Sequence, residues 1–411
     1  MDQRKLDRRG FVALTGATSL GALLAACGGG EEAAAPPATT EAPAATTEAP
    51  PATTEAPPAT TEAPAGPKFD PAAEPDGPVE IFEWAGYEAP EMWDGYLKGP
   101  YVDKSPLKFT FLDNDQQALA KVASGYSPDA VHPCVAYWKD YAAAELIQPF
   151  DTSLLPDYEG IPEAIRAGGV DENGLVWHVA FDIGFSTLTY RADKIQIAPE
   201  EESWSILLNE EYKGKLALFS DDVSIIKIGA LINAGEPINP NLLTTEQIEA
   251  AKETMIKVKP NLRTFWDSQQ STIDDFINGN LWATYTWPDG YYKIKNHEKM
   301  KDVEIRYMSP KEGRLAWVCG FVLHSQSERP GRATLAVAAA NTPQVGAWLT
   351  DAYQYGSAQQ NGVQELIQNK DLIKDFSLDD PSAFAPPRAW FEEPLANRKE
   401  YVDASAEVKA A

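Results

Sequence analysis

Histidine and cysteine are scarce in this chain of 411 residues, which holds four histidines (His132, His178, His297, His324) and three cysteines (Cys27, Cys134, Cys319). The histidines show no metal-ligand spacing and no His-Glu-x-x-His pair, so neither a metal site nor a cofactor is expected. No nucleophile elbow or phosphate loop appears, and Gly28-Gly29-Gly30 lies in a low-complexity stretch. No catalytic residue is therefore assigned. The 61 acidic residues still offer many carboxylate pairs, which keeps a secreted glycoside hydrolase as the rival enzyme reading. Basic residues number only 35, leaving a net charge of −26. Nucleic acid is excluded as a partner, because neutralising phosphates needs a basic face. A membrane-spanning run of about 20 apolar residues is also missing.

What is present begins at the N-terminus. Arg4, Lys5, Arg8 and Arg9 precede an apolar, small-residue run from Phe11 to Ala26. It ends in Leu24-Ala25-Ala26-Cys27, which resembles the lipobox of bacterial lipoprotein signals, and Arg8-Arg9-Gly10-Phe11-Val12 resembles a twin-arginine export signal. Residues 1–26 are expected to be a removed signal and Cys27 the lipidated residue. From 27 to 67 the chain is Ala, Pro, Thr, Glu and Gly, with Thr-Thr-Glu-Ala-Pro beginning at 39, 46, 53 and 60. Proline in every copy forbids a continuous helix, so this reads as an extended tether. At about 3 Å per residue its upper reach is on the order of 100 Å.

The rest of the chain alternates strand-like and helical runs, the signature of an α/β fold. Residues 79–84, 107–111, 129–133, 281–287 and 303–308 read as strands. Residues 113–124 and 272–278 read as helices, the latter stopped by Gly279. Thr244-Thr245-Glu246-Gln247 is a capping box opening a helix that Pro260 ends. Two long apolar segments, 184–190 and 317–324, read as strands, and the resemblance given below implies that they cross between lobes.

Ligands in open α/β sheets sit beyond the carboxyl ends of the strands. There the sequence places Trp84 and Tyr87, Cys134 to Trp138, Ser220-Asp221-Asp222, and Trp287-Pro288-Asp289, with Asp182 just before the first crossing segment and Cys319 within the second. Aromatic faces recurring with carboxylates suit an organic cation. Each residue alone is more often core or cap, and only the repetition over several strands points to a ligand.

Ser203-Trp204, Glu211-Tyr212-Lys213-Gly214-Lys215-Leu216 and the following Ser220-Asp221-Asp222 resemble an element of bacterial polyamine-binding proteins of ABC importers. Ser309-Pro310-Lys311-Glu312-Gly313 is similar to that family's turn before its second crossing strand. The resemblance implies a two-lobed fold of the periplasmic-binding-protein type (type II) with hinge strands. Lobe I would hold 77–185 and 317–380, lobe II 190–312, and 381–411 is left unassigned. It implies a monomer, lipid-anchored outside the cell, that captures a small molecule and presents it to permease subunits. Ligand contacts implied are Trp84, Tyr87, Asp222 and Trp287, with Trp266 and Asp289 less secure; Cys134, Asp182 and Cys319 complete the candidate set. The family's serine and tyrosine are here Cys134 and Ala136, a glutamate is Ile225, and a carboxylate is Cys319. A smaller amine, a sugar, an amino acid or ferric ion (for which Tyr291-Tyr292 is the cue) thus stay open as ligands, as does a sensory role. The resemblance also places Cys134 beside Cys319, bonded or as two buried thiols.

Overall fold

The computed structural model describes residues 66–411. The expected signal, the lipidated Cys27 and the tether up to residue 65 lie outside them. Among the described residues, no helix is long and apolar enough to cross a membrane.

Twelve strands form one continuous sheet path with side branches: β1 (Val79–Trp84), β2 (Leu107–Leu112), β3 (Ala130–Val131), β4 (Ile147–Gln148), β5 (Val179–Arg191), β6 (Leu216–Phe219), β7 (Leu262–Trp266), β8 (Ala283–Thr286), β9 (Ile305–Tyr307), β10 (Arg314–His324), β11 (Gly356–Ser357) and β12 (Ala389–Phe391). The path runs β2-β1-β3-β10-β5-β8-β6-β7. Strands β1, β2 and β3 are mutually parallel, and β6 runs parallel to β7 and β8. Each parallel set is the centre of one lobe, so the carboxyl ends of both sets are available to one intervening site.

Two antiparallel strands join the lobes. The first part of β5 pairs β10 from Val179↔Phe321 to Ser186↔Leu315, and its last part pairs β8 and β9. All but the last residue of β5 is buried, as a strand covered on both faces requires. Both strands extend further toward the N-terminus than the sequence suggested. Gly184 and the acidic Asp182 interrupt the apolar run of β5, yet the fold buries both. A bulge falls between Cys319 and Gly320. Any side chain at Gly320 would collide with the Val179 carbonyl, so only glycine allows the two strands to close here.

The helices that position the site begin where strands end. α1 (Asp115–Ala123) follows β2, with Asn114 accepting the Gln117 N–H at its N-terminus. α2 (Ser224–Ala234) follows β6 and packs on α3 (Thr245–Val258), whose capping box at Thr244 is complete in both directions. Pro260 lies one residue past the α3 cap, as a helix stop should. α4 (Gln269–Ile277) precedes β8, and α5 (Pro288–Lys295) starts from its end with proline at the first helical position. Beyond residue 375 the chain runs back through the hinge, where β12 pairs β10 at Arg314↔Ala389. It ends in α6 (Arg398–Ala410), packed on α3.

Candidate functional site

The end of β1 carries a buried polar network beneath the first aromatic pair. Glu83 and His132 are fully buried and joined through Nδ1 of the imidazole, while His132 Nε2 lies 3.3 Å from Asp182 Oδ1. The Tyr87 hydroxyl donates to the other Asp182 oxygen at 2.6 Å. Burial alone would disfavour a charged imidazole. The Glu83 charge and the hydrogen bonds to Asp182 and Glu83 outweigh it, pushing the His132 pKa up to about 10. Tyr87 also contacts the rings of His132 and Tyr353 at 5.4 Å each. Its ring is therefore fixed from below and from one side. Asp182 is 3% exposed with both oxygens engaged, which makes it a support for Tyr87 before anything else. Trp84 is partly exposed at the strand end.

The end of β3 is tied to the hinge. Cys134 and Cys319 are joined by a disulfide, and the Cys134 N–H donates to Asp115 at 2.9 Å. Three residues on, the partly exposed Tyr137 stacks under the Arg398 guanidinium at 4.3 Å and accepts its hydrogen bond.

In the other lobe Phe219, Trp266 and Trp287, at the ends of β6, β7 and β8, form one aromatic cluster. Its ring centroids are 4.6, 5.2 and 5.6 Å apart. Trp266 is buried behind, leaving Trp287 the more accessible face. Gln269 binds this turn together. It accepts from the Trp287 N–H at 3.1 Å and donates to both Asp289 oxygens at 3.0 Å. Asp289 also pairs with Lys293 at 2.7 Å, one helical turn along α5. Asp221 caps α2, accepting from Val223 and Ser224. Asp222 pairs with Lys409 of α6 at 2.6 Å.

Between the walls stand two residues that sequence reading missed as site members. Trp317 on β10 lies against Gly184, where an added Cβ would overlap its indole. Tyr355 meets Trp317 edge-on at 5.2 Å. Burial, with the charges of Asp289 and Asp182, holds the Tyr355 hydroxyl well above the ordinary tyrosine range, so it remains a donor. Asp289 and Asp182 thus both bear on one hydroxyl. Trp317 could have been found from its place within a crossing segment. Tyr355, His132, Glu83 and Arg398 carried no local signal.

Trp84, Tyr87, Asp182, Cys134 and Cys319 therefore gather at one lobe and the hinge, and Asp222, Trp266, Trp287 and Asp289 at the other. An open depression of about 550 Å³, lined by α4, α5 and Gln354, includes none of them. Among the described residues no group of His, Cys, Asp or Glu could hold a metal ion.

Known proteins resemble this chain in sequence and in fold. The Escherichia coli protein named putrescine-binding periplasmic protein PotF is 22% identical over 68% of this chain and 77% of its own. A putrescine/agmatine-binding protein of Pseudomonas aeruginosa is 26% identical over 61% and 70%. The solved spermidine/putrescine ABC transporter substrate-binding protein PotD of Streptococcus pneumoniae superposes with a TM-score of 0.66 at 17% identity. That match covers 82% of this chain and 99% of that one, and shows a common fold. The family of bacterial extracellular solute-binding proteins matches residues 88–375, and this chain belongs to it.

Proposed function

We propose that the protein is the extracytoplasmic solute-binding component of an ABC importer, anchored through Cys27, and that it traps an organic amine between its lobes without chemical turnover. In this reading lobe I comprises 77–185 and 317–380, and lobe II 190–312. The contact of α6 with α3 supports joining 398–410 to lobe II. The observation that carries the proposal is that Asp182, which holds Tyr87, and Asp289, in the turn that carries Trp287, both bear on the Tyr355 hydroxyl. Trp84 stands beside Tyr87 at the end of β1. Rings attract a cation by about 0.5–2 kcal/mol each, and a carboxylate adds a charge-assisted hydrogen bond. The ligands in the relatives' names, putrescine, spermidine and agmatine, are amines of this kind. Binding would stabilise a closed form that permease subunits recognise.

Calorimetric titration of the full chain with a panel of amines, amino acids and sugars tests the reading. An amine should bind, and Trp84→Ala and Trp287→Ala should each weaken it by about 1–2 kcal/mol. Unchanged affinity in both variants would refute the site; binding confined to a sugar would refute the amine.

A further inference from the structure

The chain beyond residue 375 runs past the family match at 88–375, and it touches three places in turn. First β12 pairs with β10 at the hinge, where the Glu392 N–H also donates to the Ala316 carbonyl at 2.9 Å. Next α6 lies on α3 of lobe II. The Tyr401 hydroxyl donates to the Pro240 carbonyl at 3.0 Å, Lys252 of α3 pairs with Glu407 at 2.7 Å, and Lys409 pairs with Asp222 at 2.6 Å. Held at three points along its length, α6 moves with lobe II.

The first residue of α6 reaches the other lobe. Arg398 donates to the Tyr137 hydroxyl, and its guanidinium lies over the Tyr137 ring at 4.3 Å. Tyr137 is mounted on lobe I just as firmly. It ends the turn Val135–Tyr137 after β3, its N–H donates to the Cys134 carbonyl at 3.0 Å, and Cys134 is bonded to Cys319. The next residue, Trp138, donates through Nε1 to the Gly168 carbonyl at 2.7 Å. Neither side chain is free to follow the other when the lobes part. One contact outside the hinge strands therefore joins two rigid mounts.

We infer that Arg398 and Tyr137 form a latch between the lobes, positioning residues that favour the arrangement able to hold a solute without touching the solute themselves. This inference rests on the solute-capture reading above and deepens it. A hinge rotation that separates the lobes breaks both the hydrogen bond and the cation–π contact. The latch thus raises the fraction of molecules in the binding-competent arrangement, and apparent affinity scales with that fraction. Acting on the arrangement alone, it lowers affinity for every solute by one factor when it is lost. A side chain in contact with the solute would change selectivity instead.

The test uses calorimetry on the full chain with 1,4-diaminobutane and spermidine. Arg398→Ala should weaken both amines by the same factor, about threefold to tenfold. Tyr137→Ala should match it, and the double variant should be no weaker than either single one. Tyr137→Phe keeps the ring, should show a smaller loss, and serves if the alanine variant fails to fold. Small-angle scattering without solute should give Arg398→Ala a larger radius of gyration than the wild type. Unchanged affinity, unequal losses for the two amines, or additive losses in the double variant overturn the latch and leave the amine reading standing. Identical solute-free scattering profiles overturn it as well. That readout needs no solute, so a wild type that binds neither amine refutes the amine reading while scattering still decides the latch.

Discussion

Two carboxylates flank one buried imidazole beneath Tyr87, and this sets what the first aromatic wall can do. His132 gains its charge through Glu83 and Asp182, so its folded pKa lies above the unfolded value of about 6.5. A raised pKa contributes stability fully below the unfolded value, and this is lost as pH rises through about 10. The stability difference between the wild type and His132→Gln should therefore shrink steadily from pH 6.5 to pH 10 in denaturant titrations. A constant difference would mean that the histidine is neutral throughout. Asp182→Asn should act on binding through Tyr87. The loss on ligand titration should be on the order of 1–3 kcal/mol, and it should nearly vanish in a Tyr87→Phe background because the two residues act as a unit. Tyr87 and Asp182 were named from the sequence, but their link through His132 to Glu83 was not legible there. Glu83 and His132 are 49 positions apart, and an acidic residue at the end of a strand gives no sign of the partner that will bury it.

At the scale of elements the crossing strands carry the argument. The indole of Trp317 rests on Gly184 because there is no side chain beneath it. Gly184→Ala should push that ring toward Tyr355, costing about 1–3 kcal/mol of stability and weakening the ligand at the same time. Thermal unfolding and calorimetry on one preparation would check both. The Cys134–Cys319 bond ties the turn after β3 to β10 over a separation of 185 residues. Replacing both cysteines by alanine should lower stability by about 2–4 kcal/mol, and denatured, oxidised protein should show neither as a titratable thiol. Local signals made several elements readable. The 79–84 strand begins and ends where the apolar run does, and Thr244 to Gln247 announced the start of α3 because capping is decided within four residues. The early part of β5 was hidden because Asp182 looks like an interruption until the partners that bury it are known.

For the molecule as a whole, two parallel strand sets joined by β5 and β10 set their carboxyl ends toward a shared space. Alternating strand-like and helical runs made the α/β class legible, and the two-lobed fold was legible through the segments at 203–222 and 309–324 that resemble a known family. The ligand chemistry was not. Asp182, Asp289 and Tyr355 come from parts of the chain that only the folded path brings together. The acidic net charge set no ligand by itself; local pairing, such as that of Asp222 with Lys409, engages a carboxylate expected to meet the solute. The most direct test of the central claim is small-angle scattering of the full chain with and without saturating ligand, alongside Trp287→Ala. Two lobes closing on an amine predict a smaller radius of gyration for the liganded wild type and no such contraction for the variant. Tight binding with an unchanged profile, or contraction that survives loss of the indole, would contradict it.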